Sequence, residues 1–250
     1  MAASLRSTVF EPGRTLPVLG EFDLVVIGGG PAGIAASVAA SRRGKKVLLI
    51  ERYGFLGGMG TAGGVTNFAG LYGKRNGKMQ PLVHGIVDEL LDRINALNGL
   101  NQPQDGMGGR IRVRSYDVSA YKCAADQFLQ QAGVQVLFHA VFSNLLMDGT
   151  RIDAILIETK SGRLAVRASY FIDCSGDADV AAAAGVPFSV GDGAGSGLFP
   201  STMFRIGNVD AEKALAAIGE FKANDTWMER AASRYDFPGR GAILRPQRNP

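Results

Sequence analysis

A chain of 250 residues holds one large domain or two small ones and buries roughly 70–75% of its unfolded surface. With 46% hydrophobic and 20% charged residues it reads as an ordinary globular protein, and its net charge of +4 is scattered without basic runs, which argues against nucleic-acid partners. Two cysteines without CxxC spacing and two histidines exclude a disulfide framework and a metal cluster of their own, and no apolar run approaches the ~20 residues that span a bilayer.

The 34 glycines are about twice the usual ~7% share and cluster in short loops, which points to close backbone approaches. Residues 1–22 carry Pro, Gly and charge where a signal peptide needs a continuous apolar core. They read as an N-terminal extension, and the cytoplasm is the expected compartment.

Residues 24–27, Leu-Val-Val-Ile, form a short apolar run that predicts a buried parallel strand. Gly28, Gly30 and Gly33 follow in G-x-G-x-x-G spacing, with Pro31 where a first helical turn tolerates a missing N–H. Small residues, Ala32, Ala35, Ala36 and Ala39, are expected to face inward and let the helix lie close to the sheet. Arg42 and Arg43 are expected in its last turn, with Gly44 ending it. Residues 47–50 predict a second strand, which ends in Glu51 and Arg52.

Each part has work to do if the ligand is a dinucleotide. Gly28 permits the turn, Gly30 admits the pyrophosphate to the backbone, and Gly33 lets helix meet strand. The helix N-terminus offers N–H groups and partial positive charge to the phosphates. Glu51, eighteen residues after Gly33, is placed to accept hydrogen bonds from ribose hydroxyls, and its carboxylate disfavours a 2′-phosphate. NADP is therefore unsuited, while NAD and FAD both remain.

The order GGGPAG, a strand ending in Glu-Arg, and then the Leu-Gly-Gly loop of "RYGFLGGMGTAGGV" closely resembles FAD-dependent oxidoreductases with the glutathione-reductase-type flavin fold, neighbours of the fumarate reductase flavoproteins. The resemblance implies a Rossmann-like α/β domain over residues 23–185. It also implies that Pro31, Ala32 and Arg52 line the cofactor and that Gly57, Gly58 and Met59 run along the pyrophosphate and flavin.

Further along, residues 60–115 read as an irregular insertion. Within it lies one amphipathic helix at 84–97, with Ile86, Val87, Leu90, Leu91, Ile94 and Leu97 on one face. Residues 117–132 predict a helix capped by Asp117 and stopped by Gly133, and residues 134–138 a buried strand. In the resembling family the chain then passes the adenine, which makes Val141 a backbone contact. Strands at 152–158 and 164–169 around "TKSGR" predict a small antiparallel meander resting on the parallel sheet.

The stretch "YFIDCSGDADVAAAAG" resembles the family's "vIDATGD" segment, with Cys174 and Ser175 in place of Ala and Thr. It implies Ser175, Gly176 and Asp177 beside the cofactor, with Asp177 also placed to cap the following helix. A strand at 201–207 and a helix at 210–222 capped by Asp210 are expected next, as the start of a substrate domain over 186–250. Trp227, Arg230, Arg234, Tyr235 and Arg240 follow as surface residues or substrate contacts.

Departures from the family restrict the chemistry. Cys123 and Cys174 do not supply the paired cysteines of flavin disulfide reductases, and the absence of histidine from residues 53–82 implies noncovalent FAD. Catalysis then rests with the flavin, and no catalytic side chain is assigned; His84 is a possible acid/base only because His titrates near neutrality. The reading is an FAD-dependent oxidoreductase for an unknown small molecule, without nucleic-acid or membrane partners. An NAD-linked dehydrogenase, or a flavin-carrying subunit or tRNA-modifying module whose partners supply the reaction, remains open. Because no returning C-terminal flavin segment follows Asp177, the chain is expected to be less than the whole functional unit.

Overall fold

The computed structural model describes residues 9–106, 109–193, 197, 201–218 and 233–234. Strand β1, Val18–Ile27, leads into helix α1, Pro31–Ser41, and strand β2, Val47–Ile50. Three short strands follow, β3 (Asn67–Phe68), β4 (Tyr72–Arg75) and β5 (Lys78–Pro81), then helix α2, Ile86–Ala96. Strands β6 (Gln104–Gly106) and β7 (Ile111–Ser115) precede helix α3, Val118–Gln131. Strands β8 (Gln135–Leu137), β9 (Val141–Asp148), β10 (Arg151–Thr159) and β11 (Gly162–Asp173) complete the main sheet. Helices α4 (Asp179–Ala183) and α5 (Ala211–Ile218) come last.

The main sheet has the order β8-β2-β1-β11-β10-β9, with its first four strands parallel and the last two antiparallel. Successive β1 side chains point to opposite faces, and both faces are covered. Leu24 and Val26, with Val47 and Leu49, pack under Ile34 and Val38 of α1, Leu90 and Ile94 of α2, and Phe128 and Leu129 of α3. Val25 and Ile27, with Leu48 and Ile50, pack under Leu145, Ile155, Ile157 and Val166 of the meander. Each such side chain contributes roughly 1.5–3 kcal/mol when fully buried, which is why residues 24–27 and 47–50 are apolar at every position.

The meander therefore rests on the parallel strands as expected, but it is also continuous with them. β11 is one strand, pairing with β10 over its first residues and with β1 from Ala165 to Asp173. β1 likewise begins at Val18, inside the stretch read as an extension, because Val18 finds a partner in Ala165.

Other boundaries differ for local reasons. The buried stripe of α1 is Gly33, Ile34, Ser37 and Val38, while Ala32 and Ala39 are exposed. The helix ends at Ser41, so Arg42 is its cap and Arg43 lies beyond it. Asp117 caps α3 as expected, accepting the Ala120 N–H at 2.8 Å, and Gly133 leaves the helix at φ +76°. Residues 60–115 are not an irregular insertion around one helix. They carry a three-stranded sheet of order β3-β7-β6 and the β4–β5 hairpin. α2 starts at Ile86, which leaves His84 exposed ahead of it, 3.2 Å from Asp88.

Residues 201–207 form no strand; Met203, Phe204 and Ile206 are exposed and nothing pairs with them among the described residues. Asp210 does cap α5, accepting the Lys213 N–H at 3.1 Å. Residues 219–222 of the expected helix, and Trp227, Arg230, Tyr235 and Arg240, lie outside the described residues.

Candidate dinucleotide site

The expected site residues lie at the carboxyl ends of β1, β2 and β11, in the loops that follow them, in the first turn of α1 and at Val141, the first residue of β9, along the edge where open α/β sheets bind ligands. The three motif glycines differ in why they are glycine. Gly28 has φ +103°, and a Cβ there would lie 2.2 Å from the Cys174 carbonyl oxygen. A Cβ on Gly33 would lie 1.9 Å from the Gly28 carbonyl oxygen. Gly30 has an ordinary φ of −72°, and a Cβ there would meet only Gly58 Cα, at 3.8 Å. Protein packing requires the first two. It does not require the third, whose bareness leaves backbone open to a ligand.

Gly30 is also the N-cap of α1, which has no side-chain cap and no acidic residue in its first turn. Pro31 and Ala32 are exposed beside it. The first turn of the helix thus brings no acidic side chain of its own to compete for its partial positive charge.

The second glycine loop lies against the first. Gly57 donates its N–H to the Gly29 carbonyl at 2.9 Å, and a Cβ on Gly58 would sit 2.9 Å from Gly30 Cα. Both glycines have positive φ, +109° and +51°, and they begin a single 3-10 turn, Gly58–Gly60. Met59 is 66% exposed at its crest.

Glu51 is not free. It is 4% exposed, with one carboxylate oxygen accepting the Gly29 N–H at 2.7 Å and the other the Tyr53 N–H at 2.8 Å. An ionised carboxylate has about four acceptor positions, so two such bonds leave capacity for hydroxyl donors. Arg52 is exposed, 5.4 Å from the Tyr53 ring centroid. Residues 139–141 run beside this corner: Ala140 donates to the Glu51 carbonyl at 3.1 Å and His139 to the Tyr53 carbonyl at 3.2 Å. That places Val141, half-exposed at the start of β9, next to Glu51.

At the end of β11 the turn through Cys174 and Ser175 packs under Gly28, and Cys174 donates its N–H to the Ile27 carbonyl at 2.8 Å. Asp177 does not cap α4; it is exposed, and no side-chain hydrogen bond caps that helix's N-cap, Ala178. Asp173 takes that place, accepting the Val180 and Ala181 N–H groups at 2.9 Å each, together with the Ser175 hydroxyl at 2.6 Å. Burial pushes the Asp173 carboxyl up, but these hydrogen bonds outweigh it and hold the group below the ordinary carboxylate range. Ser175 is consequently occupied by the turn, while Gly176, at φ +95°, stays open to solvent.

Burial, and then the Asp173 charge, raise the Cys174 thiol above its usual range, so this sulfur is a protonated packing group at neutral pH. Asp173 and Gly29 escaped the sequence reading. The middle glycine of "GGG" was the signal for Gly29, since a Cβ there would strike Leu56 Cδ2 at 2.5 Å and Glu51 Oε2 at 2.9 Å. Among the described residues no cluster of His, Cys, Asp and Glu could hold a metal, and no helix is long and apolar enough to cross a membrane.

Known proteins share this arrangement of sequence. The family model described as FAD dependent oxidoreductase matches residues 23–248. The thiamine thiazole synthase of Methanococcus vannielii is 28% identical over 170 residues, covering 64% of this chain and 58% of that protein. The soluble pyridine nucleotide transhydrogenase of Mycobacterium bovis is 36% identical over 98 residues, covering 37% of this chain and 20% of its own. The crystal structure of Thermovibrio ammonificans THI4 aligns with a TM-score of 0.46 at 18% identity, covering 65% of this chain and 61% of that one. The chain spans less than two thirds of the length of the thiazole synthases it matches.

Proposed function

The chain belongs to the FAD dependent oxidoreductase family, and from that premise we propose that its two glycine loops hold FAD noncovalently for redox chemistry on a small organic molecule. The observation that carries this reading is Gly30, a bare backbone position at the uncapped start of α1 that the protein's own packing does not need. In this reading Gly30, Pro31, Ala32 and the N–H groups of α1 hold the pyrophosphate. Glu51 and Arg52 face the ribose, residues 139–141 the adenine, and Gly57, Gly58 and Met59 the flavin side. Bound flavin supplies the acceptor for a hydride or electrons, and the protein orients it and excludes water. The two cysteines, which form no disulfide, suit a reducing cytoplasm.

Gly30→Ala is the test. Its Cβ fits the protein, so stability should stay within about 1 kcal/mol of wild type, while FAD affinity should fall roughly tenfold or more, equivalent to about 1.4 kcal/mol. Fluorescence titration of free FAD reads the affinity. Undiminished binding by the variant, or thermal stabilisation of the wild type by NAD but not by FAD, overturns the assignment.

A further inference from the structure

The second glycine loop has a floor of two tyrosines. A Cβ on Gly60 would lie 2.7 Å from the Tyr116 hydroxyl and 2.7 Å from Cε1 of Tyr121. Both rings are fully buried, and they meet edge to face with centroids 5.2 Å apart. Phe68 completes the cluster, 4.4 Å from Tyr116 and 5.3 Å from Tyr121.

Their hydroxyls differ. That of Tyr116 donates its one proton to the Val65 carbonyl, with the Gly60 carbonyl oxygen 2.9 Å away as a second acceptor sharing it. It thereby joins the two ends of a segment that Val65 closes from within by donating to the Met59 carbonyl at 3.0 Å. The backbone of Tyr116 is tied to the same segment, its N–H donating to the Thr66 carbonyl at 3.1 Å. Among the described residues the Tyr121 hydroxyl is buried without a hydrogen-bond partner.

Above this floor the loop touches α1 through Gly58 and Gly30. Anything that lowers or frees residues 60–65 changes the gap between the two glycine loops. On the reading that this gap holds FAD, we propose that Tyr116 is a positioning residue for the flavin, its hydroxyl fixing the height of the second glycine loop over the start of α1.

Tyr116→Phe keeps the ring and removes only the bond; Tyr121→Phe removes a neighbouring hydroxyl that bonds nothing among the described residues. In the cofactor-free full chain, amide hydrogen exchange over residues 60–65 should accelerate roughly 3–10-fold in Tyr116→Phe, the range for loss of one such bond. FAD affinity should fall by a similar factor, and the visible spectrum of bound flavin should shift. Tyr121→Phe should leave all three unchanged. Wild-type affinity and spectrum in Tyr116→Phe overturn the proposal even if exchange quickens, as do equal losses in Tyr121→Phe, which would assign the effect to core packing. If wild-type protein binds no FAD, the cofactor assignment fails first and takes this proposal with it.

Discussion

Glu51 and Gly29 share a buried hydrogen bond of 2.7 Å that joins the end of β2 to the loop after β1. The side chain expected to reach for ribose thus also welds together the two strands that frame the site. Glu51→Ala should therefore cost fold stability as well as FAD affinity. It strips the Gly29 and Tyr53 N–H groups of their acceptor in a buried corner, at about 2–5 kcal/mol for two unsatisfied donors. Urea denaturation of cofactor-free protein checks this, and an unchanged midpoint would show that water replaces the carboxylate.

Gly28→Ala and Gly33→Ala should damage the fold whether or not cofactor is present. The added Cβ meets backbone carbonyl oxygen at 2.2 Å and 1.9 Å respectively, and overpacking against unyielding backbone costs about 1–3 kcal/mol or more. Denaturation midpoints for these variants should lie well below that of Gly30→Ala. Equal midpoints for all three would contradict the division into packing glycines and a ligand glycine.

Asp173 makes stability depend on acid. Its folded-state pKa is depressed, first against the upward push of burial, by the Ser175 hydroxyl and three backbone N–H groups. Below the unfolded value near 3.9 the unfolded chain binds the extra proton. The contribution is thus full above that pH and is lost as pH falls through the folded pKa. Wild-type stability should drop more steeply below about pH 4 than that of Asp173→Asn. Parallel denaturation curves from pH 5 to pH 2.5 would remove Asp173 from this role.

The two thiols should label at different rates. Cys123 is exposed on α3, whereas Cys174 is partly buried and its pKa is raised by burial and by Asp173. A stoichiometric thiol reagent at pH 7.5 should modify Cys123 first, with Cys174 following only as the protein opens. Mass mapping after limited alkylation decides it, and preferential modification of Cys174 would mean that the β11 turn is looser than it looks.

What could be foreseen was local. The run 24–33 predicts strand, turn and helix because each residue type acts on its own neighbours, and Asp117 caps α3 for the same reason. Residues 60–115 misled because their strands are two to five residues long and gain definition only by pairing, as Asn67 does with Ser115. Even there one signal was present: Asn76 and Gly77, both at positive φ, make the tight turn of the β4–β5 hairpin. Residues 201–207 failed the opposite way, since a short apolar stretch supplies strand-like residues but not a neighbouring strand. Among the site residues, Asp177 was the expected cap because it stands near α4 in sequence. Yet positive φ at Gly176 and Ala178 folds the turn back, so that the earlier aspartate reaches the helix.

β11 works as a ruler. It starts beside Thr159 of β10 and ends beside Ile27 of β1, so one unbroken length of chain measures the distance from the meander hairpin to the nucleotide turn. An extra residue at Ser161 is absorbed by the hairpin. The same residue inserted between Arg167 and Ala168 shifts one end of the ruler by about 3.3 Å and reverses which side chains face the core. Either the meander loses its register or Cys174 slides out from under Gly28. A change made several residues down the strand from the glycine loops thus reaches them without touching them.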